Sequence, residues 1–485
     1  MDVAVVGSGP NGLAAAVLLA RAGLGVHVFE AAEQIGGGMR TAEPVLRGYR
    51  HDLCSAVHPM ALASPFFRRF DLAAHGVRML QPEAAYAQPL DGGRAGVAWR
   101  DLERTAEELG PDRGRWLRLF RPMVERWQEA AAVGLSDMRS VPRSPVTTAH
   151  LGVRVLAGGI PRMGPASGLL RTEPARAMLA GVGAHALRPW GIPASGAGLL
   201  LATLAHAVGW PVPEGGSQAI ADALAADLAA HGGKIDTGRR IERLDEVAGA
   251  RAVLFDTGAA ELARVAGEAL PGRYGRALRR FRAGAGACKV DYVLDGPVPW
   301  TAPGCRKAGT VHIGGSAAEV EAAERAVASG RHAERPYVLA VQAGVVDHGR
   351  APGGHHTLSV YAHVPNGSTV DVSDAVTAQI ERFAPGFRDR ILGRAVETAA
   401  ELARRNRNYA GGDILGGAMT VRQMVGRPAL RWDPYRTPID GVYICSASTP
   451  PGPGVHGMAG LHAAGRVLRQ RFGVRTEPLD LLGPG

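Results

Sequence analysis

Two short stretches carry a spacing that could hold a dinucleotide: GSGPNG at residues 7–12 and GPGVHG at 452–457. Both fit G-x-G-x-x-G, in which glycines let the backbone wrap a pyrophosphate and turn N–H groups toward it. Two such loops would suit an enzyme passing electrons from NAD(P)H to a flavin, and one would suit a single cofactor. What flanks each loop decides between them.

The first loop has the full context. DVAVVG (2–7) is a continuous apolar run, as a buried parallel strand requires. LAAAVLLARAG (13–23) has helical composition and stops at Gly23, and GVHVFE (25–30) is a second strand ending in an acid. Gly7 makes the turn, Gly9 admits the pyrophosphate, Pro10 and Asn11 open the helix, and Gly12 lets helix and strand pack closely. Glu30 can accept hydrogen bonds from a ribose hydroxyl.

The second loop lacks that context. GVYIC (441–445) is a strand and LHAAGRVLRQRF (461–472) a helix, but residues 446–451 separate strand from glycines, too many for a tight strand-to-helix turn. No second strand ending in an acid follows, because Glu477 lies in a Pro- and Gly-punctuated tail. The sequence therefore predicts one bound nucleotide.

After Glu30 the chain reads AAEQIGGGMRT (31–41), where Gly37 and Gly38 permit close approach and Arg40 can pair with a phosphate. With this segment the sequence resembles the large flavoprotein family of amine oxidases and phytoene (carotenoid) desaturases. The resemblance covers nearly the whole chain. It is strongest to the bacterial desaturase-like branch, through HDLCSAVHP (51–59), WPVPEGGSQA (210–219), GGDILGG (411–417) and PYRTPIDGVYICSAST (434–449).

The resemblance implies FAD as the cofactor. It also implies that the C-terminal segment completes the same site, with backbone N–H groups of Ser446 and Ala447 on the pyrophosphate and ribityl chain. Many members carry Gly at the position of Ser446, a small departure for a backbone contact. Val455, His456 and Met458 would set a helix N-terminus against the flavin N1–C2=O edge, and Ile241 would lie beside the adenine.

The implied fold is α/β: a Rossmann-type, glutathione-reductase-like FAD-binding domain interleaved with an α+β substrate domain. The expected FAD-binding segments are 1–75, 211–285 and 405–485, and the substrate segments 76–210 and 286–404. Within these, 215–244 reads as a helix N-capped by Ser217 and then a β-hairpin, and 250–258 as an apolar strand. Alternation in 288–295, 309–315, 335–346 and 356–364 predicts an antiparallel sheet covered on one face. Residues 101–210 read as helical, with Pro-rich interruptions at 142–145 and 189–193.

Composition narrows the partners. The net charge of +10 rests on 55 basic residues, of which only Lys234, Lys289 and Lys307 are lysine; the arginines are scattered, with no basic stripe and 5% aromatics. That excludes nucleic acid as the expected partner and leaves a peripheral contact with an anionic membrane open. Cys54, Cys288, Cys305 and Cys445 stand far apart without C-x-x-C, so no zinc site or dithiol relay is expected. A strand at the second residue and no apolar run of membrane-spanning length predict a cytoplasmic protein.

No nucleophile–base pair stands out. His58 is the candidate catalytic residue, against a packing role like that expected of His185, His206 and His312. Asp413 reads equally as an active-site neighbour or a turn former. Three functions stay open: an FAD-dependent desaturase or oxidase of a hydrophobic small molecule, a flavin monooxygenase using NADPH, and a non-catalytic binding protein on the same fold.

Overall fold

The computed structural model describes residues 1–137, 145–158 and 170–483. Apart from Pro145, the first Pro-rich interruption lies outside the described residues. Five strands form one sheet in the order Val442–Ile444, Ala252–Phe255, Val3–Val6, Val26–Phe29, Lys234–Asp236, and every neighbouring pair is parallel. In the four strands other than the edge strand Lys234–Asp236 the apolar residues are buried on both faces, because side chains alternate. Val3 and Val5 pack toward the helices Pro10–Arg21, Gln218–Ala230 and Met458–Arg471. Ala4 and Val6 face the opposite layer, which holds Leu262 and Leu278.

The expected hairpin in 215–244 is corrected. Lys234–Asp236 joins the outer edge of the parallel sheet beside Val26–Phe29, and Ile241 lies in an unpaired segment after it. A Gly stop followed by a short strand fits either reading; the apolar face of Gln218–Ala230, packed on the first helix, selects the parallel one. Ser217 occupies the N-cap position but makes no side-chain cap.

A second sheet has seven strands, ordered Ile391–Glu397, Gly286–Leu294, His356–Val364, Val338–Val341, Ala308–Ile313, Ala84–Leu90, Arg94–Trp99. All pairings are antiparallel except Ala308–Ile313 with Ala84–Leu90. The expectation of one covered face fails here: all nine residues of Gly286–Leu294 are buried. Val290, Tyr292 and Leu294 pack under the helix Ser373–Phe383, while the polar Lys289 and Asp291 point the other way, where Lys289 lines an internal cavity. Helices between Leu102 and Ala207 cover that cavity. Among the described residues no helix is long and apolar enough to cross a membrane.

Candidate functional site

The first glycine loop is built around Asp256, which follows the apolar strand Ala252–Phe255. Gly7 turns the chain with φ +102°, and the helix Pro10–Arg21 begins without a side-chain cap from Gly9. The Gly12 N–H instead donates to Asp256 Oδ2 at 2.8 Å, reaching in from the end of the neighbouring parallel strand. All three motif glycines pack on Asp256. A Cβ at Gly7 would lie 2.8 Å from its carbonyl oxygen, one at Gly9 2.5 Å from Oδ2, and one at Gly12 2.8 Å from Cβ. Burial pushes the Asp256 carboxyl well above the usual range; the Gly12 N–H opposes this and the Glu30 charge adds to it.

Glu30 faces the same cavity but is also a strut. Its carboxylate accepts from Ser8 N at 2.9 Å, Ser8 Oγ at 2.5 Å and Ala32 N at 2.9 Å. The 36–38 segment stacks on the loop: Gly36 N–H donates to the Ser8 carbonyl at 3.0 Å, and a Cβ at Gly37 would lie 3.0 Å from Gly9 Cα. Arg40, nearly buried, donates through Nε to the Gly37 carbonyl at 3.0 Å and lines the cavity with Gly37 and Gly38. Asn11 Oδ1 is buried without a partner in the wall of that cavity.

The second glycine segment reaches this loop from the other end of the chain. The helix Met458–Arg471 crosses Pro10–Arg21 with Gly460 on the Asn11 backbone, where a Cβ would run into the carbonyl oxygen. Ser446, Ala447 and Val455 line the cavity, as does Ile241. His456 and Met458 are placed behind the wall. His456 Nδ1 accepts from Met458 N–H at 3.0 Å, so its proton sits on Nε2, which donates to the Gly452 carbonyl at 3.2 Å. Burial lowers this imidazole to about 4, leaving a neutral cap on the helix. The Met458 side chain belongs to the core beneath the sheet.

The cavity has a volume of about 740 Å³ and runs from Gly7, Gly9 and Glu30 to the helices Pro145–Gly158 and Ile192–Ala207. His58 lies in its wall. Ser217 Oγ donates to the Ser55 carbonyl at 2.7 Å, so His58 Nε2–H donates to Ser217 Oγ at 2.7 Å and the bare Nδ1 is buried without a partner. Burial lowers His58 to about 4. Asp413 accepts from the N–H groups of Gly284, Leu415 and Gly417 at 2.7–2.9 Å, the geometry of a turn former.

Two further groups reach the cavity. Lys289 pairs with Asp291, whose other oxygen lies 3.3 Å from His51 Nδ1. Burial acts against ionisation of Asp291, yet Lys289 and His51 hold it at about 2. The signal for this in the sequence is only a rare lysine on an alternating strand. His185, also in the wall, meets the buried His312 through Nε2 to Nε2 at 3.0 Å. One Nε2–H donates to the other Nε2, and burial holds both imidazoles neutral, His185 at about 3. Among the described residues no group of three or more His, Cys, Asp or Glu is placed to hold a metal ion.

Residues 5–72 match a family described as an NAD(P)-binding Rossmann-like domain. The chain is 25% identical to the rat "pyridine nucleotide-disulfide oxidoreductase domain-containing protein 2", over 96% of this chain and 93% of that one. Among solved structures, putrescine oxidase bound to putrescine shares the fold with a TM-score of 0.59 at 17% identity, covering 97% of this chain and 99% of that one. Cyclohexylamine oxidase from Brevibacterium oxydans IH-35A does so with a TM-score of 0.57 at 14% identity, covering 99% and 98%.

Proposed function

We propose that this chain binds one FAD and takes a hydride from a hydrophobic organic molecule, with the electrons leaving to dioxygen, a quinone or another diffusible acceptor. The observation that carries the reading is one cavity of about 740 Å³ joining both glycine segments to an apolar helical layer. The loop at 7–12, the 36–38 segment and Ser446–Ala447 would hold the diphosphate and ribityl chain, with Arg40 as the cation. The unpartnered Asn11 Oδ1 suits a donor such as a ribose hydroxyl. A bound flavin supplies the hydride acceptor, so the protein's task is to orient the substrate and exclude water. Leu200, Leu201 and Val341 would do the latter.

The names borne by the relatives and fold neighbours support the oxidoreductase class. The cofactor segments in this reading are 1–75, 211–285 and 405–485, and the +10 charge would favour an anionic membrane surface over nucleic acid. A pyridine nucleotide in the same loop is the second reading, favoured by the description of the family matched at 5–72.

The purified protein is expected to be yellow, with one FAD per chain released by acid or heat. Mixed anaerobically with excess NADPH or NADH, its flavin band should bleach slowly or not at all. Bleaching within seconds at sub-millimolar NADPH would overturn the desaturase or oxidase reading in favour of a monooxygenase. Colourless protein that binds NADPH would establish the second reading.

A further inference from the structure

A carboxylate in the middle of a phosphate loop is a problem in electrostatics. The loop concentrates N–H donors and the positive end of a helix dipole for an anion, and Asp256 already occupies part of that field by accepting the Gly12 N–H at 2.8 Å. It lines the cavity beside Gly7, Gly9 and Asn11 and is only 9% exposed. Oδ2 is tied to the loop, and the carboxyl stands where a diphosphate on the N–H groups of this loop would approach. Two anions in so dry a site would repel strongly; a carboxylic acid and an anion attract.

We propose that Asp256 binds the cofactor diphosphate as a neutral acid, one oxygen accepting from Gly12 and the hydroxyl donating to a phosphate oxygen, so that dinucleotide binding takes up a proton. The inference rests on the dinucleotide site proposed above and adds a proton to its binding equation. The surroundings favour that protonation. Glu30 carries a like charge at the end of Val26–Phe29, the next strand but one, and burial disfavours the ionised carboxylate. Cys445, ending the strand on the other side, is buried and its thiol is pushed well up, so it contributes no charge. The first helix presents Asn11 at this end and no charged side chain until Arg21. Arg40 is the cation on the 36–40 segment and is available to the diphosphate itself.

The test is calorimetric titration of the apoprotein with FAD from pH 6 to pH 10 in buffers of different ionisation enthalpy, which counts protons directly. Proton uptake is expected to rise from none below the apoprotein's carboxyl value to one per FAD above it, with affinity there falling about tenfold per pH unit. Asp256→Asn keeps an oxygen for Gly12 and an N–H for the phosphate, so its binding should take up no proton, vary little with pH and exceed the wild type at high pH. Wild-type binding with neither proton uptake nor loss of affinity anywhere up to pH 10 overturns the inference, as does an Asn variant that still takes up the proton. Because the wild-type count needs no variant, a misfolded Asn protein leaves the test intact. FAD binding with neither proton uptake nor loss of affinity up to pH 10 defeats this inference alone. Failure of FAD together with proton-coupled binding of ADP defeats the FAD reading alone, and failure of both ligands defeats both.

Discussion

The two glycine segments share a spacing and differ in what their glycines are for. In GSGPNG the backbone is ordinary except at Gly7, and the glycines exist because Asp256 and the loop itself leave no room for a Cβ. In GPGVHG all three have left-handed φ, and at Gly454 (+129°) the atoms a Cβ would meet first belong to the flexible Met60 side chain. The first segment needs glycine chiefly for contact; the second needs it for conformation at all three positions, with a contact on the Phe66 ring added at Gly457. A pattern of identities can thus conceal two different physical requirements, and substitution separates them.

The largest expected effect is at Gly9. Gly9→Val should drive a side chain into Asp256 Oδ2 and the diphosphate space, and the purified variant should be colourless while remaining folded by circular dichroism. Full FAD content in that variant would mean the contact argument is wrong. Glu30→Gln comes next: losing the charge that Ser8 and Ala32 donate to should weaken FAD binding by about 1–3 kcal/mol in fluorescence titrations. An unchanged dissociation constant would detach Glu30 from the cofactor.

Gly454→Ala should cost about 1–3 kcal/mol of stability through backbone strain, seen as a lowered denaturation midpoint, yet keep its flavin. Loss of flavin at unchanged stability would show that the second segment, too, is a contact surface.

The smallest effect concerns His456. Its folded value of about 4 lies below the ordinary 6.5, so the unfolded chain binds the extra proton. Its contribution to stability is therefore complete above pH 6.5 and is lost as pH falls toward 4. His456→Gln should reduce the slope of unfolding free energy over that window by at most about 1.4 kcal/mol per pH unit. An unaltered slope would place the proton uptake on the other buried histidines, His58, His206 and His462, which burial also lowers to about 4.

The parallel sheet was legible because its strands are short apolar runs with punctuated ends, and the helix at 458 because its apolar stripe is regular. Three features were not. Asp256 reads as the polar end of a strand; its closeness to Gly12, 244 residues away, exists only once the two strands pair. Lys289 and Asp291 alternate with apolar residues just as solvent-facing positions do, and only the fold shows that their face looks into a cavity. His456 follows the glycines that suggest a cofactor contact, but a helix start with no Ser, Thr, Asp or Asn needs a cap, and the imidazole supplies it from two residues upstream.

The parallel sheet draws its strands from both ends of the chain, with Ala252–Phe255 between Val3–Val6 and Val442–Ile444. On a ribosome, the phosphate loop emerges long before Gly460, hundreds of residues later in the chain, can close over Asn11. Contacts of such sequence separation form late. Nascent chains stalled before residue 440 should therefore present an unfinished nucleotide cradle, lacking both the strand Val442–Ile444 and the helix that seats Gly460 on Asn11.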